Sequence, residues 1–256
     1  MHEFAPGGRV VSSVIGSPID VLDEAGGLRQ IAIWAAKGDS RTVYLCNAHS
    51  VVTARRDPAF AKVIREADMA LADGTPVAWL LRWQGVSGQR RVYGPDLMWA
   101  YCAQAAARGE SIYLLGASPA TLQALQENLI AAFPGLLIAG ACSPPFRPLT
   151  QEEDAAIIAN INASGARTLW VSLGCPKQEQ WIAAHRGRIQ AIMLGVGAAF
   201  DFHAGTTKQA PAWMRNNGME WLHRLWTEPR RLWKRYLVAN SLFLYYAGRQ
   251  LTGMLR

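Results

Sequence analysis

The feature that most constrains this chain is an alternation. Short apolar or β-branched runs recur between longer stretches with helical periodicity, the pattern of βαβ units whose parallel sheet is covered on both faces. Candidate strands are 42–46, 69–72, 111–115, 136–141, 168–173 and 191–196. Candidate helices lie near 49–66, 75–84, 95–108, 119–132, 150–163 and 177–185, with one more over 23–37 and an edge strand over 10–15. The expected fold is α/β: a Rossmann-like parallel sheet, about residues 1–207, followed by a helical membrane-binding appendage, about 208–256. Half of the 256 residues are apolar, which supplies a full core and excludes global disorder.

Charge separates the two parts. Residues 1–207 hold 17 Lys/Arg against 17 Asp/Glu, whereas residues 208–256 hold nine against two. The tail also carries Trp213, Trp221, Trp226 and Trp233, four of the ten tryptophans, among Arg224, Arg230, Arg231, Lys234 and Arg235. From Arg230 onward, Leu232, Trp233, Tyr236 and Leu237 form an apolar face, with Pro229 suited to a helix start. Such a helix fits either an anionic membrane surface or a core-packing role with a solvated basic face. The longest apolar stretch, 236–248, is broken by Asn240 and Ser241 and is too short to span a bilayer. The four cysteines form no C-x-x-C pair and the N-terminus shows no secretory pattern, as expected of reduced thiols in a cytoplasmic protein.

In an open parallel sheet, ligands bind beyond the carboxyl ends of the strands. The residues following the strands here are Asn47, Asp73-Gly74-Thr75, Gly116-Ala117-Ser118-Pro119, Gly174 to Glu179 and Gly197 to Asp201. Glycines there let backbone N–H groups approach an anion, and the polar residues add side-chain contacts. Asp73 either caps the next helix or serves as a general base. Arg91 reaches a phosphate or is an ordinary surface cation. Lys177 and Gln178 open a helix or hold substrate. Gly116-Ala117-Ser118-Pro119 lacks the G-x-G-x-x-G spacing, and Gly195-Val-Gly197-Ala-Ala-Phe200 has Phe where the third glycine belongs. The histidines show no ligand spacing and no Asp-x-Asp is present, so no metal is expected.

Seven segments in order resemble the WecG/TagA/CpsF glycosyltransferases: Asn47; Ala67-Asp-Met-Ala-Leu-Ala-Asp73-Gly74; Arg91-Val-Tyr-Gly-Pro-Asp96-Leu97; Leu114-Leu-Gly116; Leu173-Gly-Cys-Pro-Lys177-Gln178-Glu179-x-Trp181; Gly195-Val-Gly-Ala-Ala-Phe-Asp201; and Gly218-Met-Glu220-Trp-Leu-His-Arg224-Leu-x-x-Glu228-Pro-x-Arg231. The resemblance implies an inverting, metal-independent transfer of a sugar from a UDP donor to a polyprenyl-diphosphate-linked saccharide, without a cofactor, at the inner face of the cytoplasmic membrane. It makes Asp73 the base and places Asn47, Arg91 and Gln178 in the catalytic pocket. Gly116, Ser118 and Asp201 become nucleotide contacts, Lys177 a further substrate contact, and Arg224, Arg231 and Lys234 cations that face the diphosphate. Many members read Thr-x-Asn where this chain has Leu45-Cys46-Asn47. UDP-glucose and UDP-uronic acids therefore stand level with UDP-N-acetylmannosamine as donors. No nucleic-acid partner is expected, and a homo-oligomer is compatible with the sequence. Two rival readings share some of these features: an NAD-dependent oxidoreductase, against which the broken glycine patterns count, and a nucleic-acid-binding module that uses the basic, aromatic tail.

Overall fold

The computed structural model describes residues 3–5 and 9–254, except for the side chains of Glu3, Phe4, Ala5, Ala212, Asn216, Arg231 and Arg235. The elements run β1 (Glu3–Ala5), β2 (Arg9–Val14), β3 (Ser17–Asp20), α1 (Glu24–Lys37), β4 (Arg41–Cys46), α2 (Ala48–Arg56), α3 (Pro58–Arg65), β5 (Met69–Ala72), α4 (Thr75–Trp83), α5 (Gly94–Arg108), β6 (Ser111–Gly116) and α6 (Pro119–Ala132). They continue with β7 (Leu137–Cys142), α7 (Gln151–Ser164), β8 (Thr168–Ser172), α8 (Lys177–His185), β9 (Ile192–Gly195), α9 (Ala199–His203), α10 (Ala212–Asn216), α11 (Glu220–Thr227) and α12 (Pro229–Leu251). Six strands form one parallel sheet in the order β5-β4-β9-β8-β6-β7, flanked by helices, as the alternating pattern requires. Its central strands read as nearly continuous apolar runs because both faces are covered; Leu114, Leu169, Trp170, Val171, Ile192 and Met193 are wholly buried. Strand β7 alternates half-buried and exposed residues, as an edge strand does.

The described residues divide into two compact units. One comprises Ala25–Tyr44 and Gly94–Lys208, and the other comprises Met1–Glu24, Leu45–Tyr93 and Gln209–Arg256. The basic tail therefore shares a unit with Asn47, Asp73 and Arg91.

Three departures from the sequence reading have local causes. The stretch expected as one helix near 49–66 is two, α2 and α3. Pro58 cannot supply the N–H that a continuing helix needs, and the Asp57 side chain accepts from the N–H groups of Ala59 and Phe60, which starts α3 afresh. The strand expected over 10–15 is β2, and it lies in a separate antiparallel sheet, β1-β2-β3. Its hairpin turns at Ile15-Gly16, both at positive φ, the pattern that matches strand twist. A β-branched residue is a poor choice there, which hid the turn. Gln250 near the end of α12 supports it: the Ile15 N–H donates to Gln250 Oε1 at 2.7 Å, and Gln250 Nε2 donates to the Ser13 carbonyl at 2.7 Å.

The third departure concerns α12. The four residues expected on one face are divided. Leu232 is buried with Ala239, Phe243 and Ala247, one stripe of the helix that packs on α2, whereas Trp233, Leu237 and Leu244 form an exposed stripe beside it. The apolar arc is wider than one contact, so the protein core takes half of it. Leu237 is 63% exposed and Trp226, on α11, 87% exposed. Among the described residues no helix is long and apolar enough to cross a membrane.

Candidate active site

The unit that contains the tail gathers four of the expected functional residues. Strand β5 ends in Ala72, and the Asp73 N–H donates to the Cys46 carbonyl at 3.0 Å, which sets Asp73 beside the end of β4. Asp73 does not cap the following helix. The N-cap of α4 is Gly74, at φ 81°, and no side chain caps that end. The carboxylate is thus left for other work. Asn47 has a double role: its side-chain oxygen caps α2 by accepting from Ser50 N–H at 3.2 Å, while its side chain also hydrogen-bonds Asp73.

The Val92 N–H donates to the Ala72 carbonyl at 2.7 Å, so residues 91–93 run in extended fashion beside the strand end. Alternation then puts Arg91 and Tyr93 on one side. The Arg91 guanidinium lies 4.6 Å from the Tyr93 ring centre, and Arg215 of α10 lies 5.8 Å from the same ring. The first residue of α11, Glu220, accepts a hydrogen bond from Arg91 Nη1 at 2.9 Å. The approach of this segment depends on Gly218, at φ 73°, where a β-carbon would come within 2.9–3.0 Å of the Thr75 side chain. One turn further on, Arg224 also bears on Asp73.

These neighbours set the proton affinity of Asp73. Burial raises the Asp73 pKa from 3.8 to about 6, with the Glu220 carboxylate adding to the rise. The Arg91 cation, the Asn47 hydrogen bond and the Arg224 cation oppose it. A carboxylate tuned in this way is still mostly ionised at neutral pH, yet more basic than a surface Asp, as a general base should be. Burial, and after it Glu220, pushes the Tyr93 phenol far above its ordinary range, so it stays protonated. Its hydroxyl is buried beside Glu220 without a hydrogen bond of ordinary geometry.

The other unit holds a second group of expected residues, built largely from backbone. Gly116, at φ 122°, has no room for a β-carbon, which would fall 2.2 Å from the Ser172 carbonyl oxygen. The Ala117 N–H donates to that same oxygen. Ser118 caps α6, its hydroxyl accepting from Thr121 N–H at 3.1 Å. Ser143 donates to the Ala117 carbonyl at 2.7 Å, and Ser172 to the Gly197 carbonyl at 2.7 Å. Gln178 is only 4% exposed. Its amide oxygen accepts from Gly197 N–H at 3.2 Å and its amide nitrogen donates to Glu179 at 3.0 Å. A β-carbon on Gly195 would press on the Gln178 side chain at 3.1–3.3 Å. Gln178 therefore holds the Gly195–Gly197 turn in shape. Lys177 is exposed at the start of α8, and Asp201 is half-buried in α9.

Of the tail cations, Arg224 joins the Asp73 group, Lys234 is exposed on α12, and the side chain of Arg231 lies outside the described residues. Sequence reasoning did not single out Glu220, Tyr93, Arg215 or Ser172. The signal for two of them was present: Tyr93 and Glu220 lie inside segments that carried the resemblance. Among the described residues no three His, Cys, Asp or Glu side chains gather as a metal site would require.

The sequence matches the family described as Glycosyl transferase WecG/TagA/CpsF over residues 12–256. That span takes in one unit whole and all but the first residues of the other, with every residue of the Asp73 group. A match over nearly the full length of the chain places this protein in the WecG/TagA/CpsF family of glycosyltransferases, enzymes of surface glycan synthesis.

Proposed function

We propose that the protein is an inverting, metal-independent glycosyltransferase that moves a sugar from a UDP donor to a polyprenyl-diphosphate-linked saccharide at the inner face of the cytoplasmic membrane. The observation that carries this reading is Asp73: a carboxylate not used as a cap, with its pKa raised to about 6 and with Asn47, Arg91 and Arg224 around it. In the proposed step the acceptor hydroxyl gives its proton to Asp73 as its oxygen bonds to the anomeric carbon. The bond from that carbon to the donor phosphate breaks on the opposite face, so UDP leaves and the configuration inverts. Charge that builds on the departing diphosphate is offset by Arg91 and Arg224, with Arg231 and Lys234 as further cations. Gly116, Ser118, Lys177 and Asp201 are assigned to the donor and Gln178 to the shape of the glycine turn beside it.

The tail supports peripheral attachment. Its exposed apolar residues, Trp213, Trp226, Trp233 and Leu237, stand among Arg230 and Lys234. Aromatic rings and cations of this kind suit the headgroup region, where each cation contributes about 1 kcal/mol on an anionic surface.

The test is UDP release from UDP-glucose, UDP-N-acetylmannosamine and their uronic acids, with polyprenyl-linked acceptors in anionic liposomes. Release by the native chain with one donor, reduced about 10²–10⁴-fold in Asp73→Asn, is expected. Full turnover by the variant would remove Asp73 from the mechanism. In the same preparation, Trp226→Ala with Leu237→Ala should sediment less with the liposomes while melting like the parent. Unchanged sedimentation would refute membrane attachment through this face.

A further inference from the structure

Glu220 is a carboxylate placed beside the base, an arrangement that needs a reason. Its side chain is 14% exposed and that of Arg91 18%, so their ion pair at 2.9 Å is largely removed from water. Such a pair costs desolvation on both sides and is a weak source of stability. A simpler design would let Arg91 pair with Asp73 directly. Among the described residues, however, Asp73 makes no ion pair, and Arg91 gives its short contact to Glu220. The same carboxylate lies beside the Tyr93 phenol, whose ring carries Arg91 on its face.

We propose that Glu220 is a positioning residue for the transfer reaction: from the first turn of α11 it fixes the Arg91 guanidinium near Asp73 and shares that cation, so that Asp73 is not locked into an ion pair of its own. The consequence for a base is direct. A carboxylate clamped by arginine is a poor proton acceptor, whereas one that faces a cation already shared keeps most of its basicity. The groups facing Asp73 are Glu220 and Arg224 from α11, Arg91 and Tyr93 from the segment before α5, and Asn47 from the head of α2. Tyr93 stays neutral, Arg91 and Arg224 oppose the rise in the Asp73 pKa, and Glu220 is the like charge that adds to it. Because Glu220 and Arg224 sit one turn apart on α11, the helix brings one carboxylate and one cation to the base together.

This inference rests on Asp73 being the base, and its test separates the two. The pH dependence of kcat/KM reports the ionisation of the free enzyme. Native protein should lose activity on the acid side near the Asp73 pKa of about 6. In Glu220→Gln the acid limb should move to lower pH by about half a unit or more, since the like charge is gone and Arg91 is released toward Asp73. The plateau should fall about two- to threefold as the base weakens. An acid limb that stays in place, whatever happens to the plateau, overturns the proposal. If Glu220→Gln does not fold, Glu220→Asp decides: it keeps the charge but shortens the reach to Arg91, so the limb should hold while the plateau falls, and a fully native profile overturns the proposal. Asp73→Asn is the control. If it remains active, the base assignment fails; if it is inactive while the limb of Glu220→Gln is unmoved, only the role of Glu220 fails.

Discussion

The two groups of candidate site residues are built in opposite ways. The turns at Gly116 to Ser118 and Gly195 to Gly197 are made largely of backbone, fixed by Gly116, which admits no β-carbon, by the Gln178 amide and by serine hydroxyls that tie one turn to the next. The Asp73 group is made of charged side chains from three separate stretches of chain, held by one ion pair, one capping amide and a ring between two arginines. Backbone sites hold their shape by sterics, and any misfit appears as lost stability. Side-chain charge sites hold their function through small differences of field, and an error appears as lost rate at little cost to the fold.

Gly116→Ala should sharpen that contrast most. Its added carbon meets a backbone carbonyl that cannot rotate away, so a loss of about 3 kcal/mol or more in denaturant unfolding is expected. A variant as stable as the parent would show that the turn can relax.

Asp73→Asn should act in the opposite sense. Asp73 binds its proton more tightly in the folded chain than in the unfolded one, so between pH 3.8 and about 6 the folded state holds the extra proton. Stability from this group is therefore present at low pH and is lost as pH rises through about 6, by up to about 3 kcal/mol. Asparagine removes that loss. At pH 7.5 the variant should melt above the parent, and below pH 4 the two should converge. Equal melting temperatures at every pH would break the comparison. Gly218→Ala should have the smallest effect on the fold, about 1–2 kcal/mol. Activity should suffer more, because the new carbon pushes Glu220 and Arg224 away from Thr75 and Asp73. Parallel losses of stability and rate would place Gly218 with the backbone turns instead.

These differences also explain what could be read from the chain alone. The parallel sheet and its rim follow from local signals: apolar runs for β8 and β9, and glycines at the ends of β6 and β9. Asp73 and Asn47 were visible at strand ends, and Arg91 just before a helix. Glu220 was not, because an acid at the first position of a helix already has a reason to be there, in the helix dipole. Its partnership with Arg91 spans 129 positions and leaves no periodicity. The exposed half of α12 was obscured in the same way. Helical spacing shows that Leu232 and Trp233 belong to one apolar arc, but not which half α2 covers.

The long reach of these contacts has a consequence in time. Gln250 meets Ile15 across 235 positions, and Glu220 meets Arg91 across 129. On a chain emerging in order, the glycine turns are complete as soon as α9 has been made, while Asp73, Arg91 and the hairpin wait for the last quarter of the polypeptide. Closing loops of that length is slow relative to forming helices. A growing chain would therefore carry its glycine turns before the surroundings of Asp73 are complete, and those would be finished only when the basic tail arrives.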